Sequence, residues 1–210
     1  LFEVEEVSSA LIFVRTRADT GELASELTAR GFPAEALSGD LSQDAREQVM
    51  QRFRRGQTTV LVATDVAARG IDLPDLSHVI LYEPPDEMEL YIHRAGRTGR
   101  AGGSGVAISL VDVLEQMTLE RIAKRYKIEM DEWPLPADED VAAVVSERVT
   151  ALLESRLRDR DKLQIERMAR FEPLIQELVE SEEGRALLTM LLDDYYQETL
   201  QAPPPQPSEE

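Results

Sequence analysis

The strongest constraint on the fold is an alternation of short apolar runs with helical patterns along the first two thirds of the chain. The apolar runs lack polar alternation, which is typical of strands buried on both faces of a sheet. Strands that alternate with helices form right-handed βαβ units, which build a mostly parallel sheet flanked by helices. The predicted strands are 10–14, 34–37, 60–63, 78–82 and 106–111, and the predicted helices are 18–30, 42–55, 87–95 and 114–126.

Beyond residue 130 the pattern changes. The stretch DEWPLPADED at 131–140 places two prolines among acids, and it can continue neither a helix nor a central strand. Only helical spacing follows, enough for three or four helices, with Pro173 suited to the first turn of one of them. The predicted organisation is an α/β domain at 1–133, a linker at 134–140, a small all-α domain at 141–201 and a Pro-rich acidic tail at 202–210.

The small all-α domain is expected to need a partner. A unit of about 60 residues buries too little apolar surface to be more than marginally stable alone. We therefore predict that 141–201 forms a homodimer, although a helical appendage packed on its own α/β domain stays open as an alternative. Under both interpretations Met190, Tyr195, Tyr196 and the leucines around them are core residues.

The net charge of −18 would by itself argue against binding nucleic acid, because the phosphate backbone repels an acidic surface. The acidity is uneven, however. Residues 1–130 hold 15 Lys and Arg against 21 Asp and Glu, a net of −6, whereas residues 131–210 hold 8 against 20, a net of −12. Arginines cluster at 46–55 and again at 94–100, so local phosphate contacts remain possible.

Composition excludes several other classes of protein. The absence of cysteine excludes a disulfide scaffold and a thiolate metal site, and two histidines are too few for an imidazole cluster. No run of about 18 apolar residues and no basic start followed by an apolar region is found, which excludes a membrane span and a signal peptide. We therefore expect a cytoplasmic protein without a bound metal or a membrane partner.

The stretch YIHRAGRTGR at 91–100 carries the strongest functional signal. Arg94, Arg97 and Arg100 recur every three residues, with Gly96 and Gly99 between them to let the backbone turn closely. Guanidinium groups bind phosphate oxygens in pairs, and an inserted arginine neutralises the charge that develops on a transferred phosphoryl group. The pattern favours an anion site over a solvated basic helix end.

A second motif is VLVATDVAARGIDLP at 60–74. Thr64 and Asp65 fall where a short helix would begin after the strand, and either could cap it, while the free helix N–H groups attract phosphate. Asp72 could accept hydrogen bonds from hydroxyls such as those of a ribose. Taken alone, this stretch is as well explained by a capped strand-to-helix turn that ends in glycine.

Together these stretches resemble a known family. TDVAARGID and HRAGRTGR are similar to motifs V and VI of the DEAD-box RNA helicases of superfamily 2, ALIFVRTR at 10–17 resembles motif IV, and the QxxR pair is present as Gln43 and Arg46. That pair shares one face of a helix that Ser42 can cap. The four motifs stand in family order between residues 8 and 130, so the resemblance implies a second RecA-like domain.

The resemblance also implies roles for individual residues. Arg97 and Arg100 match the arginine fingers that reach the γ-phosphate of ATP bound on the partner domain, and Asp72 matches the acid that contacts the ribose. The other residues matched around the nucleotide are Gly70, His93 and Arg94. The residues matched to the RNA backbone, a contact independent of base sequence, are Thr16, Gly39, Gln43, Arg46, Thr64 and Asp65.

Two absences complete the expectation. The sequence has no Gly-Lys pair, and so no Walker A loop, and it has no Asp-Glu-Ala-Asp run. The resemblance therefore implies the C-terminal portion of an ATP-dependent RNA helicase, without the first RecA-like domain that holds ATP with Mg²⁺, and inactive as an ATPase by itself.

The helices after the linker show a weaker resemblance. Position, size and apolar patterning are similar to the dimerisation domain of bacterial cold-shock helicases of the DeaD type and of the heat-resistant RNA-dependent ATPase, with IEMDEWPLP at 128–136 as a preceding strand. Two other functions stay open: a non-catalytic assembly scaffold, and a superfamily 2 DNA translocase.

Overall fold

The computed structural model describes residues 1–5, 7–69, 71, 73, 76–85, 87–99 and 105–200. These residues fall into two compact units. We call the described part of 7–133 the sheet unit, and residues 1–5 with 134–200 the helical unit. The first five residues were expected in the α/β domain at 1–133, and the structure instead groups them with the helices.

The sheet unit contains five parallel strands in the order β2-β3-β1-β4-β5. In register, Ala10 of β1 lies opposite Val60 of β3 on one side and His78 of β4 on the other. This arrangement confirms the predicted parallel sheet flanked by helices, with strand ends that agree within two residues. The strands are β1 Ala10–Phe13, β2 Ala34–Leu37, β3 Val60–Ala63, β4 His78–Leu81 and β5 Val106–Ser109.

The helices of the sheet unit begin and end at local signals. The Thr16 side chain caps α1 and Asp19 bonds back to its N–H, while Ser42 Oγ caps α2 by accepting from Ala45 N at 3.1 Å, as predicted. Gly31 and Gly56 follow these helices with φ of 89° and 68°, a conformation that favours glycine and ends a helix. The helices are α1 Arg17–Ala29, α2 Gln43–Arg54, α3 Asp65–Ala68, α4 Met88–Ala95 and α5 Val113–Tyr126.

The core of the sheet unit follows the three central strands. Leu11, Leu61 and Leu81 have no exposed surface, and β1, β3 and β4 are buried along their whole length. The strands β2 and β5 are only partly buried, contrary to the prediction that every apolar run is buried on both faces. Each of them lies at an edge of the sheet and has one neighbouring strand instead of two.

The helical unit contains four helices in its described part. Pro173 lies in the first turn of α8, as predicted. No helix among the described residues is long and apolar enough to cross a bilayer. The helices are α6 Asp138–Arg158, α7 Lys162–Ala169, α8 Glu172–Glu180 and α9 Glu182–Leu200.

Two predictions about the linker are corrected. The first helix begins at Asp138, inside the linker predicted at 134–140, because three acids occupy its first turn, where negative charge stabilises a helix. The strand expected at 128–136 is absent, and these described residues are exposed without regular structure. Pro134 and Pro136 lack the N–H that a strand needs for its ladder.

The core that the sequence predicts for the helical domain is formed only in part within one chain. Tyr196 is buried and Tyr195 is partly buried, but Met190 and Leu191 remain more than half exposed. Tyr196 is the only buried side chain among the described residues of this unit. The helices are therefore formed, but most of their apolar surface faces outward.

Candidate functional site

The motif residues follow the carboxyl ends of neighbouring strands, where ligands of parallel sheets bind. Thr16 follows β1, Gly39 follows β2, and Thr64 follows β3. Because β2, β3 and β1 are parallel neighbours in the sheet, these three loops lie side by side at the carboxyl ends of the strands. We call this side of the sheet its carboxyl edge. The helix α4, which carries His93 and Arg94, follows β4.

Arg94 is the most buried charged group of the site. Its Nε and Nη2 donate to the two carboxylate oxygens of Asp65 at 2.8 and 2.7 Å, and its Nη1 donates to the Glu83 carbonyl oxygen at 3.0 Å. The guanidinium also lies over the Phe13 ring, 5.2 Å from its centroid. Arg94 thus connects α4, the start of α3 and the segment after β4, and its donors are used inside the protein.

Arg97 has a different environment, three residues further along. It is partly exposed and lines a cavity of about 70 Å³ together with Arg69 and His93. No hydrogen bond or ion pair to its guanidinium is made by any residue that the structure describes. Among the described residues that line this cavity, Asp65 alone carries a carboxylate, and that carboxylate is already paired with Arg94, so the cavity is suited to an anion. The remaining lining residues are Phe13, Ala68, Leu90 and Arg94.

A tight turn fixes the backbone just beyond Arg97. Gly99 has a φ of 65°, in the left-handed region that favours glycine. The Thr98 hydroxyl donates to the Leu76 carbonyl oxygen, and a Cβ on Gly105 would lie 1.8 Å from that hydroxyl. The sequence-based expectation that glycine allows a close turn therefore holds at Gly99, and Gly105 allows a second close approach that was not predicted.

Gln43 and Arg46 lie on α2, as predicted, but they differ in what they contact. Gln43 is exposed. Arg46 Nη2 donates to the Ala67 carbonyl oxygen and, at 3.4 Å, to that of Arg69, both at the C-terminal end of α3. A cation stabilises such an end because its carbonyl groups carry partial negative charge.

Two other residues predicted to contact the RNA backbone, Thr16 and Gly39, follow β1 and β2. Thr16 is exposed and caps α1, and Gly39 is exposed beside Asp40, which pairs with Arg17 at 2.5 Å. This ion pair links the first residue of α1 to the loop that follows β2. It was not anticipated from the sequence, because its two residues lie 23 positions apart.

The capping prediction for α3 is wrong. Thr64 occupies the N-cap position and is buried, but its side chain makes no capping hydrogen bond. Asp65 does not cap the helix, because its carboxylate binds Arg94, and a paired charge-assisted interaction is stronger than a neutral cap.

Some predicted site residues cannot be placed, and some unpredicted ones appear. Gly70, Asp72 and Arg100 lie outside the described residues. Phe13 and Arg69 line the cavity without having been predicted. Both stand inside stretches that were already singled out, ALIFVRTR and TDVAARGID, so the signal was their position within those motifs.

Comparison with known proteins gives a consistent result. Residues 1–102 match the helicase conserved C-terminal domain. The RNA helicase CrhR of Synechocystis is 39% identical over 199 residues, which are 95% of this chain but only 39% of that protein's length. The solved C-terminal domain of the DEAD-box protein Dbp5 is 36% identical with a TM-score of 0.61, over 70% of this chain and 86% of that one.

A further solved structure, of S. cerevisiae Dbp5 bound to RNA and ADP BeF3, is 36% identical with a TM-score of 0.56, over 65% of this chain and 38% of that one. The parallel sheet, the motifs at its carboxyl edge and the similarity to these relatives all indicate the same family. The chain therefore belongs to the DEAD-box RNA helicases, and its sheet unit is their RecA-like C-terminal helicase domain.

Proposed function

We propose that this chain acts as the C-terminal portion of an ATP-dependent RNA helicase. It would supply arginine fingers to ATP held, with Mg²⁺, by a first RecA-like domain, and half of the site for the RNA backbone. The similarity to an RNA helicase and to a Dbp5 structure that contains RNA and ADP BeF3 supports this proposal. By itself the chain would not hydrolyse ATP.

The observation that carries the proposal is the contrast between Arg94 and Arg97. Arg94 is buried and paired, whereas Arg97 lines the cavity without a partner among the described residues. An arginine finger must be available for the negative charge that develops on the transferred phosphoryl group. Arg97 meets this requirement, and Arg94 is suited to hold the surrounding segments in place.

The remaining nucleotide contacts follow from the family motifs. We assign Arg100 as the second finger and Asp72 as the contact to the ribose, with Gly70 and His93 close to the nucleotide. His93 lines the same cavity as Arg97, which supports its assignment.

The RNA contacts would lie on the neighbouring loops of the same sheet edge. Gln43, Gly39 and Thr16 are exposed there. Arg46 uses Nη2 for the end of α3, and the other N–H donors of its guanidinium can still meet a phosphate. Thr64 and Asp65 would complete the site from α3. Closure of the two domains over ATP and a bent RNA strand would then separate base pairs locally.

The test is Arg97→Ala in the full-length protein. ATP turnover should fall by about three orders of magnitude, because an arginine finger contributes roughly that factor. RNA affinity without nucleotide should stay nearly unchanged. Arg30→Ala is a matched control, since Arg30 caps the end of α1 with an exposed side chain that, among the described residues, pairs with Glu26.

Two results would contradict this proposal. One is Arg97→Ala turnover within a few-fold of the unaltered enzyme. The other is appreciable ATP hydrolysis by the 210-residue chain alone. A competition between duplex RNA and duplex DNA would separate an RNA helicase from a DNA translocase, because a protein that contacts the 2′-hydroxyl is stimulated by RNA alone.

We also propose that the helical unit joins two copies of the chain. Its described helices expose large apolar side chains, from 41% for Leu153 to 75% for Leu163, and such surfaces mark interaction sites. A self-complementary two-fold interface is the commonest way to cover one. The side chains are Leu153, Leu157, Leu163, Ile165, Met168, Phe171, Leu174, Ile175, Val179, Leu187, Met190, Leu191 and Leu192.

Sedimentation equilibrium over a concentration series tests the dimer. The chain should sediment at twice 23.6 kDa, and Leu191→Glu should shift it to monomer by placing a charge in the interface. Leu135→Glu adds the same charge at an exposed linker position and should not. A monomer at every concentration contradicts the dimer. If the chain dimerises but Arg97→Ala leaves the ATP turnover of the full-length protein unchanged, the assembly scaffold is favoured over the helicase.

A further inference from the structure

Arg97 lies in a short turn that we call the finger turn, residues 96–99. The backbone of this turn is held first from the side of α4. The Arg97 N–H donates to the Arg94 carbonyl oxygen at 3.1 Å, and the Thr98 N–H donates to the Ala95 carbonyl oxygen at 3.2 Å. The turn therefore continues directly from a helix whose last residues include the buried Arg94.

A side-chain hydrogen bond holds the finger turn from the other side. The Thr98 hydroxyl donates to the Leu76 carbonyl oxygen, and the two residues also form an isolated parallel bridge. Leu76 is only 1% exposed and belongs to the buried core cluster. A buried carbonyl oxygen needs a donor, so this hydroxyl both satisfies the core and ties the turn to it.

Gly105 packs against the same hydroxyl. A Cβ on Gly105 would lie 1.8 Å from Thr98 Oγ1 and 2.8 Å from the Gly99 main-chain nitrogen, closer than non-bonded atoms approach. A larger residue at 105 must therefore push the threonine or the turn away. The next residue, Val106, begins β5 and donates its N–H to the Ser77 carbonyl oxygen at 2.9 Å, which holds the backbone beside Gly105 in place.

These anchors decide where the Arg97 side chain points. No residue that the structure describes pairs with its guanidinium, so the direction of the side chain depends on the backbone that carries it. A reacting group that is displaced by about 1 Å can lose about a hundredfold in rate. The action of Arg97 on a phosphate is therefore sensitive to a hydrogen bond one residue away.

We propose that Thr98 is a positioning residue for Arg97. Its hydrogen bond to Leu76 fixes the finger turn, and glycine at 105 leaves the space in which that bond forms. The inference rests on the proposed function, under which Arg97 is an arginine finger. Thr98 acts through Arg97 and not through a contact of its own with nucleotide or RNA.

Steady-state kinetics of the full-length protein tests this role. Thr98→Val keeps a similar side-chain shape and removes the donor, and kcat for ATP should fall about tenfold. The KM for RNA should stay within about twofold, because the proposed RNA contacts lie on the loops and helices that follow β1, β2 and β3. Thr98→Ser keeps the hydroxyl and should restore kcat to within about twofold of the unaltered value.

Thr28→Val is the matched control. The Thr28 hydroxyl, on α1, also donates to main-chain carbonyl oxygens, those of Ala24 at 2.8 Å and Ala34 at 3.1 Å. Its loss should lower the stability of the sheet unit, as the loss of the Thr98 hydroxyl does, and should leave kcat unchanged. An equal fall of kcat in both valine variants would overturn the positioning role, because kcat would then follow stability alone.

A double variant tests whether Thr98 acts through Arg97. Thr98→Val should lower the single-turnover rate of Arg97→Ala by less than about twofold, since the side chain that it positions is already gone. A further fall of about tenfold in the double variant would overturn the assignment to Arg97.

Gly105→Ala covers the case in which Thr98→Val does not fold. The added methyl group displaces the Thr98 hydroxyl, and kcat should fall about tenfold. Gly21→Ala is its control, because a Cβ on Gly21, in α1, would meet open space. A folded Gly105→Ala whose kcat stays within about twofold of the unaltered value would overturn the inference.

Arg97→Ala, measured alongside, separates the two proposals. If it lowers turnover by about three orders of magnitude while Thr98→Val and Gly105→Ala leave kcat unchanged, the arginine finger stands and the positioning role fails. If Arg97→Ala leaves turnover unchanged, the proposed function fails and the positioning role fails with it.

Discussion

The sheet unit and the helical unit use their apolar residues in different ways. In the sheet unit a continuous buried cluster runs through β1, β3 and β4 and reaches Ile122 of α5. In the helical unit only Tyr196 is buried among the described side chains, although the helices carry many leucines. The sheet unit is therefore stabilised by its own core, whereas the described helical unit leaves most of its large apolar side chains outside such a core.

Arginine has a common role in both units. Arg46 binds main-chain carbonyl groups at the end of α3, Arg94 binds that of Glu83 after β4, and Arg148 binds those of residues 3 and 4. A guanidinium offers five donors in a rigid plane, so it can hold a loop without constraining the loop's sequence. The two units differ in one respect. Arg94 also forms an ion pair with Asp65, which fixes the position of its guanidinium in the site, whereas Arg148 donates to main-chain oxygens.

The largest expected difference concerns stability. Leu61→Ala removes a side chain with no exposed surface and should lower the free energy of unfolding of the sheet unit by about 3 kcal/mol. Leu191→Ala changes a side chain that is 57% exposed and should cost less than about 0.5 kcal/mol at concentrations where the chain is monomeric. Calorimetric melting of the two variants measures both, and equal shifts would contradict the comparison.

A smaller effect is expected for the buried ion pair of the site. Asp65→Asn leaves the Arg94 charge buried without its carboxylate, and should cost about 2 kcal/mol, since Asp65 is partly exposed. Asp40→Asn is the control, because the Arg17–Asp40 pair is about two-thirds exposed and should contribute less than about 1 kcal/mol. Urea unfolding of both variants measures the difference. A loss for Asp65→Asn no larger than that for Asp40→Asn would show that the pair does not stabilise the site.

Much of the sheet unit could be predicted from local pattern. Its strands and helices agree with the sequence-based ranges within one or two residues, because apolar runs and the Ser42 cap each act locally. The partner of Arg94 could not be predicted this way. It lies 29 residues earlier, and only the packing of α3 beside α4 brings the two side chains together.

In the helical unit, local sequence patterns predict even less of the tertiary packing. Apolar spacing correctly predicted helices, but it could not show whether their apolar faces meet within one chain. Residues 1–5 carry no local pattern that indicates Arg148 as a partner, because the contact uses main-chain oxygens and spans about 145 positions. The contacts between distant segments are what local sequence reasoning missed in both units.

The smallest expected effect is a pH dependence confined to the sheet unit. The Arg52 guanidinium, which donates to the Glu35 carboxylate at 2.8 Å, holds the pKa of that carboxyl below its usual value, with partial burial opposing it and the Thr58 hydroxyl assisting. A carboxyl whose pKa is lower in the folded state stabilises the fold above its unfolded pKa, about 4.5, and loses that contribution as the pH falls.

Glu35→Gln should therefore lower stability at pH 7 and converge with the unaltered protein as the pH falls below about 4.5. Arg52→Gln should reproduce this convergence, because it removes the main cause of the lowered pKa. Urea unfolding at a series of pH values measures both. Curves that stay parallel from pH 7 to pH 3 would show that the pair does not stabilise the sheet edge. The helical unit, where the described acids make few close ion pairs, should show the same acid dependence in the variants and in the unaltered chain.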